Sequence, residues 1–430
     1  MYEIQRRADF MPHAIFVDPD ITWIKTISRA RERGMQAIAI QSERYAHAYP
    51  MIRESVDGHI TANTSHLLDL SNSIQKIHLS DSTALLTSND AILPVLAAVA
   101  EKLNIPFTSC VGVNFARNKA AMRRRMGELG FRMPRMETFE KPQEVLEVAE
   151  SIGYPCIVKP CSGHQSWLCF KILSSDERIR VAEELEYMVD NIFSESTWSL
   201  KNGFICEEWL EGPVMSVSIA ASLGCLVPVS VALGSVSDDA PCSGFGSVIP
   251  FIENPRVTEE CERYAASVCV ALNLDIGVFD IEMAWTSNGP ILIEVNARRM
   301  GGVMPVAYEM ATGENFSDFL LNAYLGKSIN KPPNSTRTAV IRKVIASEST
   351  KLPDGFDESW WSKFDGELYY RNYSLESGRN IDALEVLARI ILIDSNSITA
   401  FSKLNQIVAK LEEITGKIFL RGRLPWPKNY

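Results

Sequence analysis

The stretch that most constrains this chain is "FDIEMAWTSNGPILIEVNARRMGG", Phe279 to Gly302. Two runs rich in β-branched and aromatic residues flank "TSNGP", and Asn288-Gly289 is a strong hairpin signal. With Ser287-Asn288-Gly289 as a three-residue loop, Thr286 pairs with Pro290. Counting back puts Glu282 opposite Glu294 and Asp280 opposite Asn296. Period-two alternation sends all four to one face and leaves Ile281, Met283, Trp285, Ile291, Ile293 and Val295 for the core. Two carboxylates facing each other across a ladder repel, and a divalent cation turns that repulsion into chelation. An oxygen-only set of Glu282, Glu294 and Asn296, with Asp280 as a further candidate, suits Mg²⁺ or Mn²⁺ rather than zinc. A solvated polar face, or a register displaced by one, is the alternative.

The rest of the chain supplies room for such a site. Its 430 residues, 46% hydrophobic, suffice for two or three domains. A formal net charge of -10 argues against nucleic acid or an anionic membrane as the main partner. No apolar run approaches a membrane span. The N-terminus lacks a signal-peptide core, and nine scattered cysteines without a Cys-x-x-Cys pair read as reduced thiols, so a cytoplasmic protein is expected. "HAIFVD", "ITWIKTISRARERG" and "MQAIAIQS" open the chain as β-α-β, and "ALLTSNDAILPVLAAVAEKLNIPFTS" continues with strand, helix and strand. Asp18-Pro19-Asp20 stands where a dinucleotide loop would carry glycines, which disfavours that cofactor. The organisation expected is an α/β unit over residues 1–113, a central unit over 114–330 with a lid over about 154–202, and a smaller α+β unit over 331–430 beyond "KPPNST".

Three further features bear on the hairpin. Lys159 ends the apolar strand "CIVKP", and the following Ser162, Gly163 and Ser166 offer backbone N–H groups to a phosphate; the alternative is a lysine snorkelling from a strand end. "NFARNKAAMRRRMGELG" reads as a helix, with Lys119 at the start of its basic part and Arg123, Arg124 and Arg125 on its solvated side. "ICEEWLEG" brings Glu207, Glu208 and the Leu210 backbone to the end of a strand. They form an acceptor and donor pair suited to a nucleotide base, or simply an exposed strand end.

Taken in order, "NK", "GYPCIVKP", "EEWLEG" and "DIEMAW…ILIEVNAR" resemble the ATP-grasp ligase superfamily. With "EVNARRMGGVMP" and "ATGENF", the chain looks most like the L-amino-acid ligases (dipeptide synthetases) and related carboxylate–amine ligases. The resemblance implies an ATP-grasp fold, mixed α/β and α+β, with an N-terminal β-α-β (pre-ATP-grasp) domain and a small C-terminal α+β domain. It implies Lys119 and Lys159 on the ATP phosphates and Glu207 with the Leu210 backbone at the adenine. Glu282, Glu294 and Asn296 would then hold Mg²⁺. Arg298 is implied on substrate carboxylate and acyl phosphate, beside Gly301 and Gly302. Gly212-Pro213-Val214 departs from the family's G-P-E, which removes the usual ribose contact, and "CSGHQSW" is poor in glycine, with His164 in an unusual place.

The activity implied is ATP-dependent joining of small carboxylate and amine substrates that resemble amino acids, through an acyl phosphate. A homodimer is a family-level expectation. The rivals are an ATP-grasp carboxylase acting through carboxyphosphate and a non-catalytic nucleotide-binding module.

Overall fold

The structure, a computed structural model, describes residues 11–425 apart from 78, 81, 164–167, 192–197, 238–241, 243, 365–367, 373–374 and 418. The opening alternation forms a parallel sheet of β1 (His13–Val17), β2 (Gln36–Gln41), β3 (Gly58–Thr61) and β4 (Thr83–Leu86), in the order β3-β2-β1-β4. The order reverses between β1 and β4, so the carboxyl ends of these strands open a crevice at that point. "NIPFTS" forms no strand, although alternation suggested one; Ser109 instead caps the helix Cys110–Arg117, accepting from the Gly112 N–H.

The basic stretch expected as one helix is two. Asn118 leaves helical geometry between Cys110–Arg117 and Lys119–Glu128, and its side chain accepts from the Ala121 N–H. An asparagine relieves orphan donors at an N-cap and is only a fair helix former in the interior. The break makes Lys119 the first residue of a helix and aims it at the chain after Lys159, where its own N–H meets the Cys161 carbonyl at 2.8 Å.

A second sheet, β5 (Met136–Phe139), β6 (Cys156–Pro160), β7 (Phe170–Ile172) and β8 (Phe204–Glu208), has the order β5-β8-β6-β7. Its apolar core, including Phe139, Val158, Leu185 and Phe204, is separate from the main one. The main core runs from Ala14 to Leu420. It underlies an eight-stranded sheet of β9 (Val214–Ser222), β10 (Cys225–Ser235), β11 (Gly246–Ile249), β12 (Gly277–Thr286), β13 (Gly289–Asn296), β14 (Thr338–Ile345), β16 (Leu368–Asn372) and β18 (Val386–Asp394). The order is β13-β12-β9-β10-β11-β14-β18-β16, so strands of the last hundred residues extend the sheet that carries the hairpin. Short strands β15 (Thr350–Lys351) and β17 (Asn380–Ile381) pair beside it. Among the described residues no helix is long and apolar enough to cross a membrane.

The hairpin reaches its acidic pairing by a route the sequence did not suggest. The loop is Ser287-Asn288, with Thr286 opposite Gly289 and Trp285 opposite Pro290. That register is one residue off the expected one. A bulge at Ile293 then restores it, and Glu282 faces Glu294 and Asp280 faces Asn296. The extra residue of a bulge re-aims its side chain, so Ile293 lies at the site and not in the core where alternation would put it.

Candidate active site

β12 and β13 carry their polar side chains on one face, and that face forms a wall of a cavity of 440 Å³. Lys119, Lys159, Gly163, Leu210, Glu282 and Glu294 line it together. A volume of that size lies in the range of cofactor and substrate pockets.

The acids are held by one another and by neighbours. Asn296 Nδ2 donates to Glu282 Oε1 at 3.2 Å and to Asp280 Oδ2 at 3.5 Å, and Ser216 donates to Asp280. Burial, then Asp280 and Glu294, push Glu282 well above the ordinary carboxylate range. Burial likewise raises Asp280. Burial also works on Glu294, but Lys119, donating to Oε1 at 2.9 Å, outweighs it and holds Glu294 low. Two carboxylates at which the charged form is strained, beside one that is already ionised, fit a hard cation with oxygen ligands. Among the described residues no three His, Cys, Asp or Glu side chains form a metal centre by themselves.

Lys119 also donates to the Gly163 carbonyl at 3.1 Å. Lys159 is buried and its ammonium lies 2.6 Å from Glu207 Oε2, so the snorkelling alternative falls. Arg123 completes a triad, with Nε 2.6 Å from Glu207 Oε1 and Nη2 2.8 Å from the Ile293 carbonyl. Its placement corrects the expectation of a solvated Arg123: it is 2% exposed. Burial works against the Glu207 charge, yet Arg123 and Lys159 prevail and hold its carboxyl at about 2. Any base that met Glu207 would thus meet a member of an ion triad. Glu208 is exposed and within 3.7 Å of Arg135. Gly212 turns the hinge with φ +136, and a Cβ there would sit 2.0 Å from the Trp285 carbonyl, which glycine alone tolerates.

Arg298 is fixed from outside its own strand. Its Nη2 and Nε lie 2.8 and 3.1 Å from Asp90 Oδ2, at the carboxyl end of β4, and Nη2 also reaches Asn296 Oδ1 at 3.3 Å. Burial opposes the Arg298 charge, but Asp90 outweighs it and raises the guanidinium. Arg117 meets the other oxygen of Asp90 at 3.5 Å, donates to the Ser162 carbonyl at 3.0 Å and lies 4.7 Å over the Trp198 ring. One carboxylate of the first sheet thereby joins an arginine beside β6 to the arginine after β13. Gly301 lines the cavity and its Cα hydrogen side faces Arg298 Nη1, while Gly302 takes φ +59 in the turn that follows. Ser166 and His164 lie outside the described residues. Asp90, Arg117, Arg123 and Ser216 were not anticipated as site residues. For Asp90 a signal existed, since acids after a strand of a parallel sheet sit at its switch point.

Residues 152–306 match the ATP-grasp domain family. The chain is 26% identical over 287 residues to an uncharacterized protein, y4rH, of Sinorhizobium fredii, covering 65% of this chain but only 57% of that protein. It is 23% identical over 398 residues to the formate-dependent phosphoribosylglycinamide formyltransferase of Wolinella succinogenes, covering 90% and 94% of the two chains. Among solved structures it is similar to an L-amino acid ligase from Bacillus licheniformis (TM-score 0.71, 18% identity, 94% of this chain and 97% of that one). The biotin carboxylase domain of the Hydrogenobacter thermophilus 2-oxoglutarate carboxylase, solved with MgADP and bicarbonate, is also similar (TM-score 0.66, 15% identity, 96% and 92%).

Proposed function

We propose that this chain, whose residues 152–306 match the ATP-grasp domain family, joins a carboxylate to an amine on substrates resembling amino acids, forming an amide or peptide bond with release of ADP and phosphate. The observation that carries this reading is that cations, Lys119 and Lys159, and oxygen donors, Glu282 and Glu294, line one cavity, with Lys119 2.9 Å from Glu294. A triphosphate needs both: ammonium groups for its non-bridging oxygens and a divalent ion between it and the carboxylates.

In this reading Glu282, Glu294 and Asn296 hold Mg²⁺, or Mn²⁺. When bound there, the ion would supply charge neutralisation to the phosphates. Lys119 exchanges Glu294 for a phosphate oxygen, and Lys159 and Gly163 sit beside the phosphates. Leu210 and the neighbouring backbone, with Glu207 and Glu208 at the strand end, receive the adenine. A substrate carboxylate attacks the γ-phosphorus in line, forming an acyl phosphate and ADP. The amine then attacks the acyl carbon and phosphate leaves. Arg298, held at fixed orientation by Asp90, binds substrate carboxylate and faces the oxyanion of the tetrahedral state, beside Gly301 and Gly302.

The experiment is Mg·ATP turnover with pools of L-amino acids, reading ADP, phosphate and product mass. ADP release that depends on two amino acids, with a new mass equal to their sum less water, supports the ligase. AMP and pyrophosphate would overturn the acyl-phosphate route. A second reading draws on the relatives whose names include formate and carboxylation: the activated acid is formate or bicarbonate. ADP release dependent on one of those, and not on amino-acid pairs, would favour it.

A further inference from the structure

Resting on the ligase reading, we infer that the end of the cavity lined by Gly244 and Ser247 is an anion subsite, with the neighbouring Lys343 of β14 as its cation, for a substrate that bears a carboxylate or phosphate besides its reacting groups. The argument begins with the register of the eight-stranded sheet. Glu282 pairs with Ser216 on β9, and Ser216 with Ala232 on β10. Two residues on, Gly234 pairs with Ser247 on β11, and Ser247 with Ile341 on β14. Directly opposed residues share a face, as do residues two apart. Lys343, two beyond Ile341, therefore stands on the same face as Glu282. The positions between them are Ser216, Ala232, Gly234 and Ser247, a floor of small side chains along which an extended substrate can lie.

Lys343 is oddly placed for a structural lysine. Its register partner on β18 is Arg389, another cation. Lys343 Nζ lies 2.5 Å from the Gly244 carbonyl, and Gly244 lines the cavity. A Cβ at Gly244 would lie in ordinary contact with that ammonium, at 3.7 Å, so the two positions are direct neighbours. Among the described residues no carboxylate forms an ion pair with Lys343. Burial, then Arg389, pull its ammonium down to about 8. A half-buried cation held by one carbonyl that itself lines the cavity is compensated by an anionic ligand.

The test is direct binding, with succinate, inorganic phosphate and neutral succinamide as probes. Titrations are run with the magnesium complex of a non-hydrolysable ATP analogue present, so that the triphosphate site is filled, and again without it. The inference expects at least one of the two anions to bind, succinamide not to bind, Lys343→Met to weaken anion binding at least tenfold, and Lys343→Arg to stay within threefold of the wild type. Preference for succinate assigns a carboxylate to the substrate, and preference for phosphate a phosphate. Lys343→Met should melt no lower than the wild type and keep its affinity for the analogue, which separates loss of the subsite from loss of the fold. Equal anion binding by wild type and Lys343→Met, or none by the wild type, overturns the inference. Failure of the analogue to bind would count against the nucleotide reading instead, and the titrations without nucleotide then judge Lys343 separately.

Discussion

Replacing Glu207 with glutamine should cost more than any other single change near the cavity. Glu207 is 2% exposed, with Arg123 and Lys159 each 2.6 Å from one of its oxygens. The side chains of both cations are also buried. Glutamine keeps the volume and one acceptor but leaves two buried positive charges without their anion. Removing one partner of a buried ion pair costs about 3–5 kcal/mol. For a unit of 150–250 residues each kcal/mol shifts the melting midpoint by about 2–4 °C, so the transition should fall by roughly 6–20 °C. The pH dependence follows from a folded-state carboxyl held at about 2. Its folded value lies below the unfolded value near 4.3, so the stabilisation is complete above the unfolded value and is lost as pH falls toward 2. Calorimetric scans at pH 7 should therefore show a large gap between wild type and Glu207→Gln, and scans at successively lower pH should show it closing between about 4.5 and 2. A gap below about 1 kcal/mol at pH 7, or one unchanged at the lowest pH where both fold, refutes the ion-triad reasoning.

Further expectations concern the acidic face and its supports. Glu282→Gln should melt higher than the wild type without divalent ion, because a carboxyl pushed above its ordinary range is a strained one; it should also lose the Mg²⁺-dependent rise in midpoint, and an unchanged rise would argue that Glu282 holds no ion. Glu294→Gln, or chelation of Mg²⁺ from the wild type, should abolish ADP formation, read by a coupled assay. Asp90→Asn should lower kcat/KM for the acid and amine substrates about 10–100-fold, as loss of an orienting partner does, with affinity for Mg·ATP unchanged and activity partly restored in Asp90→Glu; an equal loss of nucleotide affinity would make Asp90 merely structural. Gly212→Ala should destabilise by about 1–3 kcal/mol, since φ +136 disfavours a side chain and Trp285 blocks its Cβ.

What the sequence determined by itself was what short-range physics specifies. An Asn-Gly turn between alternating runs implies a hairpin, and period two puts Asp280, Glu282, Glu294 and Asn296 on one face whatever surrounds them. A lysine closing an apolar strand must find an anion, and Lys159 did. Even here the loop was misjudged by one residue, and the acidic pairing emerged only because the bulge at Ile293 compensated. A bulge leaves little local trace, since its benefit lies in where neighbouring elements need the side chain.

The tertiary structure decided which charge answers which. Arg123 and Glu207 are 84 residues apart, Lys119 and Glu294 are 175 apart, and Arg298 and Asp90 are 208 apart. In a run such as "RRRMGELG", nothing local distinguishes the arginine that will be buried from the two beside it. The three are alike until packing removes water from one, and only then does an unpaired charge become costly enough to require a partner. The same holds for Lys343 and Arg389, 46 residues apart, whose adjacency exists only in the register of the eight-stranded sheet. Desolvation is a property of the folded state, so the assignment of its countercharges lies there too.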